Sequence, residues 1–320
     1  MKILVVRFSS IGDIVLTSPV VRALATQFDT EVHFVTKKTF LPVIEHNPYV
    51  TKVHGFRKEI TEIIADLRTE KFDLIIDLHN NLRSWRLSLL LNVKTHRFPK
   101  LNIHKWLMVN WKVNILPQKH IVERYFEAVK MADVKYDNRG LDYFCGEEAM
   151  QSQLALSNQI GPAYNVFVVG GAHFTKQIPT HLLVEMIKKS PLPVVLLGGK
   201  NDVEKADKIE QELKKQVHNF TGKLQLNESA AIISQCHTVI TADTGLMHIA
   251  AAYHRNIHSF WGNTIPEFGM TPFFADQNPP THILHQVKDL PCRPCSKIGY
   301  SQCPKKHFDC MMKQDISKIF

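Results

Sequence analysis

The opening residues set a pattern that the chain then repeats. An unbroken apolar run, Ile3-Leu4-Val5-Val6, leads through a polar turn into helically spaced apolar positions that end near Phe28. Continuous apolar runs of this kind mark strands covered on both faces, as in a parallel sheet. Further strand-like runs lie at Glu31–Val35, Thr51–Val53 and Phe72–His79, and in the second half at Val166–Gly171, Pro193–Gly199, Thr238–Thr241 and Ile257–Trp261. Helical spacing fills the intervals: Thr39–Glu45, Glu59–Lys71, Ile121–Met131, Gly146–Gln159, Thr180–Lys189, Asp202–Gln216, Ser229–Ser234 and Thr244–Tyr253. Gly161-Pro162 breaks the rhythm once, and strand and helix then alternate afresh, so the chain divides there. The pattern predicts an α/β protein of two Rossmann-like domains facing across a cleft.

Composition agrees. The 320 residues are 44% hydrophobic, and no apolar run approaches the roughly 18 residues of a membrane span. Arg7 interrupts a first apolar stretch that is too short for a secretion signal, which predicts a soluble cytoplasmic protein. Charge changes the picture more. Lys and Arg number 39 against 30 Asp and Glu, a net +9, and no acid occurs between Leu78 and Val122. Arg83, Arg86, Lys94, Arg97, Lys100, Lys105, Lys112 and Lys119 lie in that stretch, with Trp85, Trp106 and Trp111 among them. A one-signed field of this kind attracts an anion: a phosphorylated substrate, an anionic lipid surface or a nucleic acid. The absence of any RRM, KH or zinc-finger signature argues against nucleic acid.

Three places could carry chemistry. The turn after the first strand, Ser9 to Pro19, places Asp13 at the carboxyl end of that strand, where open α/β sheets bind ligands; Asp13 could equally cap the following helix. No G-x-G-x-x-G and no P-loop is present, only the glycine pairs Gly170-Gly171 and Gly198-Gly199. In Val239–Ala252 (VITADTGLMHIAAA), Asp243 and Thr244 stand at an N-cap, and Gly245 opens a helix whose free amides and dipole suit a diphosphate. His248, one turn on, is either a further ligand to that anion or an ordinary structural histidine. The tail spaces Cys292, Cys295, Cys303 and Cys310 as C-x2-C-x7-C-x6-C, compatible with a structural four-thiolate zinc site or with reduced packing cysteines, the latter being expected.

In order along the chain, S-S-I-G-D-x-x-x-T-x-P (Ser9–Pro19), D-L-x-x-x-x-R-S (Asp77–Ser84), T-K-x-x-P (Thr175–Pro179), L-G-G-x-x-D (Leu197–Asp202) and D-T-G-L-x-H-I-A-A-A (Asp243–Ala252) resemble glycosyltransferase family 9, the bacterial lipopolysaccharide heptosyltransferases. The resemblance implies a GT-B fold: an acceptor domain over residues 1–160, a nucleotide-sugar domain over 161–305 and a helix over 306–320 crossing back to the first. It implies an inverting transferase moving a heptose from an ADP-sugar to a lipopolysaccharide inner-core acceptor. Asp13 would be the general base and Lys176 would neutralise the leaving diphosphate. The donor would meet Asp202, Leu224, Asp243, Thr244, Gly245, Leu246 and His248; the phosphorylated, lipid-linked acceptor would meet Ser10, Gly12, Arg83, Lys100 and Lys105. No cofactor or catalytic metal is expected beyond the ADP-sugar substrate. The protein is expected to be a monomer at the inner face of the cytoplasmic membrane. A GT-B-like nucleotide-sugar epimerase and a basic nucleic-acid-binding protein are the alternative readings.

Overall fold

The computed structural model describes residues 1–28, 30–130 and 133–320, without the side chains of 155–158 and 215. The expected helix end at Met131 lies outside the described residues, as do several side chains of the expected Gly146–Gln159 helix. The chain forms two compact units.

The first unit comprises Met1–Lys100, Lys119–Cys145 and Phe274–Asn278. Strands β1 (Lys2–Val6), β2 (Glu31–Lys37), β3 (Lys52–Phe56), β4 (Leu74–Asp77) and β5 (Thr95–Arg97) form a parallel sheet in the order β3-β2-β1-β4-β5. Ile3 pairs with Val32 on one side and Leu74 on the other, which is why Ile3–Val6 is wholly buried. Helices α1 (Ile11–Val15), α2 (Ser18–Gln27), α3 (Ile64–Thr69) and α4 (Leu82–Leu91) alternate with these strands. The next helix, α5 (Asn102–Trp111), belongs to the second unit, and α6 (Ile121–Phe126) returns to the first. Fully buried Arg22 locks the end of this unit in place: its guanidinium pairs with Asp137 (2.7 and 2.8 Å) and Asp142 and donates to the Gly140 carbonyl.

The second unit comprises Leu101–Gln118, Gly146–Phe273 and Pro279–Phe320. Its strands β6 (Asn165–Val168), β7 (Val194–Leu197), β8 (Val217–Asn219), β9 (Thr238–Ala242), β10 (Asn256–Trp261) and β11 (His282–Gln286) run parallel in the order β11-β10-β9-β6-β7-β8. Helices α7 (Glu147–Ile160), α8 (Thr180–Lys188), α9 (Val203–Leu213), α10 (Leu226–Gln235), α11 (Gly245–Ala252) and α12 (Asp309–Met312) complete it. In each sheet the chain fills one side and then crosses to the other, so the order reverses between β1 and β4 and again between β6 and β9. The carboxyl ends at such a reversal are where doubly wound sheets bind ligands.

The expected helix over 306–320 is helical only at α12. Phe308, Cys310, Met311, Ile316 and Ile319 lie in the second unit's core, so this tail belongs to that unit, where a crossing to the first had been expected. Gly262 makes room for it: a Cβ there would come within 3.0 Å of the Met311 side chain. The division of the chain falls near Cys145–Gly146, with 101–118 and 274–278 exchanged, rather than at residue 160. Strands β5, β8 and β11 and helices α4 and α5 had no expectation. The strands lie at sheet edges, and Thr95-His96-Arg97 carries no apolar run to betray it. No described helix is long and apolar enough to cross a membrane.

Candidate active-site residues

In the first unit the chemistry collects where β1 and β4 end. Ser10 is the N-cap of α1 and Asp13 its third residue; the Asp13 carboxylate accepts from the Ser10 amide (3.2 Å) and hydroxyl (2.7 Å). The capping reading of Asp13 therefore holds as geometry. The same carboxylate also pairs with the Arg7 guanidinium at 2.6 Å. Buried Arg7 donates in turn to the carbonyls of Ser9 (2.8 Å) and Leu78 (2.6 Å), which ties the β1 turn to the end of β4. There, fully buried Asp77 accepts from the amides of His79 (3.0 Å) and Asn80 (2.7 Å), from Ser84 Oγ (2.8 Å) and from Arg97 Nε (3.2 Å). Burial, reinforced by the cations of Arg7 and Lys100, pushes the His79 imidazole down to about 3, so it is neutral at physiological pH. Lys100 Nζ donates to the carbonyls of His79 (2.9 Å) and Asn80 (3.1 Å). Gly12 is buried within α1.

Of the expected acceptor contacts, Ser10, Gly12 and Lys100 thus gather with Asp13. Arg83 lies exposed on α4, outside this network. Lys105 belongs to the second unit, where its amine lies 5.5 Å from the centre of the Phe268 ring. Arg7, Asp77 and His79 are not among the site residues the sequence predicts.

In the second unit four strand ends meet. Asp243 follows β9, and its Oδ2 accepts from Lys176 Nζ (2.6 Å) and Thr264 Oγ1 (3.0 Å). Lys176 comes from the turn after β6 and Thr264 from the turn after β10. Thr244 is the N-cap of α11; its hydroxyl accepts from the Met247 amide (3.4 Å) and lies 3.0 Å from Thr241 Oγ1. Gly245 and Leu246 are half-buried in the first turn of α11, and His248 is buried one turn on. A Cβ on Gly171 would lie 3.8 Å from Thr244, so the β6 turn passes directly beside the α11 N-terminus.

Asp202 follows β7. Its Oδ2 accepts from the Gly199 amide at 2.8 Å, and a Cβ on Gly170 would collide with its carboxylate. Asp202 therefore braces two glycine turns. Lys205, on α9, falls in no motif of the sequence: its amine donates to the carbonyls of Val169 (2.9 Å) and Ile178 (2.6 Å), clasping both ends of the Gly170–Lys176 turn. Burial pushes that amine down to about 8. Leu224 is half-buried in the loop after β8, apart from these hydrogen bonds.

The tail cysteines stand as free thiols, with Cys292 Sγ 3.8 Å from His307 Nε2. Burial, reinforced by the neighbouring thiols, pushes Cys295 up and Cys310 up to about 12. Among the described residues it is instead His33, His54 and Glu70 whose ligand atoms lie within 4.8 Å of one another. Glu70 already pairs there with Lys52 (2.6 Å) and Lys2 (3.0 Å).

The Lys–Asp–Thr knot thus stands beside a capped helix N-terminus at the reversal point of a parallel sheet, where doubly wound sheets bind ligands. The family model for glycosyltransferase family 9 (heptosyltransferase) matches residues 60–300, which include this whole knot. The chain belongs to glycosyltransferase family 9. It is accordingly a glycosyltransferase, of the GT-B type. Lipooligosaccharide heptosyltransferase 2 of Haemophilus influenzae is 26% identical over 87% of each chain. Among solved structures, the ADP-heptose lipopolysaccharide heptosyltransferase II of Escherichia coli superposes with a TM-score of 0.69 at 20% identity, covering 98% of each chain. The Escherichia coli heptosyltransferase WaaC with ADP-2-deoxy-2-fluoro heptose gives 0.67 at 21% identity, covering 89% of this chain and 92% of that one. The turn of this family 9 member that carries Asp13 precedes the residues matched by the family model.

Proposed function

We propose that this glycosyltransferase moves a heptose from ADP-heptose to a phosphorylated, lipid-linked inner-core acceptor of lipopolysaccharide, inverting the anomeric centre. The carrying observation is the knot of Lys176, Asp243 and Thr264 beside the Thr244-capped N-terminus of α11. A lysine ammonium has three N–H donors and Asp243 occupies one, which leaves donors for a diphosphate. The free amides of α11 add the helix dipole. Both act where negative charge develops as the sugar–phosphate bond breaks.

In this reading the second unit binds the ADP-sugar and the first binds the acceptor. The acceptor hydroxyl attacks the anomeric carbon, the bond to the diphosphate breaks, ADP departs, and Asp13 takes the hydroxyl proton. The Asp13 carboxylate, 2.6 Å from the Arg7 guanidinium, would act as the base. Arg7 and Ser10 fix its direction, and Lys100 places a cation in the same turn cluster for an acceptor phosphate. An acceptor of this kind would place the enzyme at the inner face of the cytoplasmic membrane, where we take it to act as a monomer. The heptosyltransferase solved with an ADP-fluoroheptose supports the choice of donor.

Thermal denaturation with ADP, UDP, GDP and their sugars tests the donor assignment, because a ligand that binds only the folded state raises its stability. ADP and ADP-heptose should raise Tm and the other bases should do so far less. A preference for UDP or GDP would overturn the donor.

A further inference from the structure

Helix α5 and the residues after it are at most half-buried. No residue of α5 is buried, although the segment is rich in large apolar side chains. Ile103 is 73% exposed and Trp111 68%, and Trp106, Val113 and Ile115 are also exposed. Ordinary folding leaves single apolar residues outside; a run of them on one element marks a surface that something else covers. The helix is nevertheless fastened. The Lys105 amine reaches the Phe268 ring, and that of Lys112, the residue that ends the helix, donates to the carbonyls of Pro294 (2.6 Å) and Cys292 (3.4 Å).

The tail loop that receives Lys112 has the same character. It is free of acids from Leu290 to Phe308 and exposes Ile298 (64%) and Tyr300 together with the cations Lys297, Lys305 and Lys306. Tyr300 Oη donates to the Cys295 carbonyl, which holds this apolar tip beside the anchored loop. The second unit thus shows tryptophan, tyrosine and isoleucine at two tips that Lys112 ties together, with cations and no acid in either stretch. A second copy of this basic chain would meet the cations with nothing complementary. A bilayer of anionic lipid offers an acyl boundary for the aromatic and aliphatic tips and phosphates for the lysines.

We propose that residues 101–118 and the loop 290–308 form a membrane-docking surface that seats the second unit on anionic lipid. This rests on the reading that the acceptor is lipid-linked, and it assigns the docking to the unit that binds the donor rather than to the acceptor unit alone.

Flotation of the full chain with vesicles tests it. Wild type should float with vesicles of equal parts phosphatidylglycerol and phosphatidylethanolamine and remain behind with phosphatidylcholine alone. The double variant Ile103→Ser/Trp111→Ser should lose about tenfold or more in vesicle affinity, since two buried apolar side chains are removed. The triple variant Lys297→Gln/Lys305→Gln/Lys306→Gln should bind more weakly at low salt and lose most of the salt dependence. Both variants should melt like wild type and bind ADP unchanged, because these side chains are exposed and lie outside the diphosphate knot. Wild type that ignores anionic vesicles, or variants that float like wild type, would overturn the proposal. So would light scattering that shows a dimer dispersed by the same substitutions. Transfer to a detergent-dispersed acceptor separates the two claims: normal transfer without vesicle binding removes the docking surface alone, whereas absent transfer removes the functional reading.

Discussion

Asp13 carries two jobs on one carboxylate: Oδ2 caps α1 through Ser10, and Oδ1 pairs with Arg7. Asp13→Asn keeps an acceptor for the cap but removes the base, so the variant should fold normally, bind ADP normally and turn over about 10² more slowly or worse. Near-normal turnover would reduce Asp13 to a cap. Lys176→Ala removes the one cation of the diphosphate knot; calorimetry should show ADP affinity lower by roughly 1.5 to 3 kcal/mol, the loss of a charge-assisted hydrogen bond. Unchanged affinity would remove Lys176 from the donor site. In the sequence, Asp13 stands out because it sits where a strand gives way to a turn and helix, and Lys176 is marked by the resemblance to the family. The links that Arg7 and Thr264 make were not legible there, because their partners are distant: Arg7 meets Leu78 71 positions away, and Thr264 meets Asp243 across two strand ends. Hydrogen bonds of that reach leave no local spacing to read.

The turns after β6 and β7 work as one element, since Asp202 braces both and Lys205 closes the first. The two adjacent glycines of the β6 turn should therefore respond differently. Gly170→Ala drives a methyl into the Asp202 carboxylate and should cost about 1 to 3 kcal/mol, with weaker ADP binding. At Gly171 the nearest atom to a new Cβ is 3.4 Å away, ordinary contact, so Gly171→Ala should leave the melting temperature close to wild type. Equal effects of the two substitutions in denaturant titrations would contradict this picture of the turn. Here the sequence showed the glycine pairs but not their asymmetry, which depends on where the Asp202 side chain comes to rest. The central strands were legible because burial on both faces leaves continuous apolar runs. The edge strands β5, β8 and β11 were not, because a half-covered strand of three to five residues has no such run.

Each unit also contains a histidine pair set across neighbouring strands, with the same geometry. His33 Nδ1 lies 2.9 Å from His54 Nε2, and His258 Nδ1 lies 2.9 Å from His285 Nε2. Burial pushes His54 and His258 down to about 4, and His33 and His285 move the same way, although Glu70 faces His33 and opposes the shift. These imidazoles are neutral in the folded protein, while in the unfolded chain they take up protons below about pH 6.5. Stability should therefore be unaffected by them above pH 6.5 and should fall as the pH drops from about 6.5 to about 4, by up to about 1.4 kcal/mol per pH unit for each histidine. Urea midpoints at pH 7 and pH 5 read this directly, and equal midpoints would contradict it.

At the scale of the whole molecule, the two doubly wound units and the family were legible, because motif order survives from end to end of the chain. The exchange of 101–118 and 274–278 between units was not, because it follows from packing at Gly140 and around Lys112 rather than from any composition shift. The central claim is the reaction itself. It is tested most directly by incubating the purified chain with ADP-heptose and a phosphorylated heptose-deficient inner-core acceptor and following the acceptor by mass spectrometry. The acceptor should gain one heptose for each ADP released, and Asp13→Asn should slow the gain about 10²-fold or more while still binding ADP. ADP-heptose left intact with the acceptor unmodified, or consumed while the acceptor mass stays constant, would contradict it.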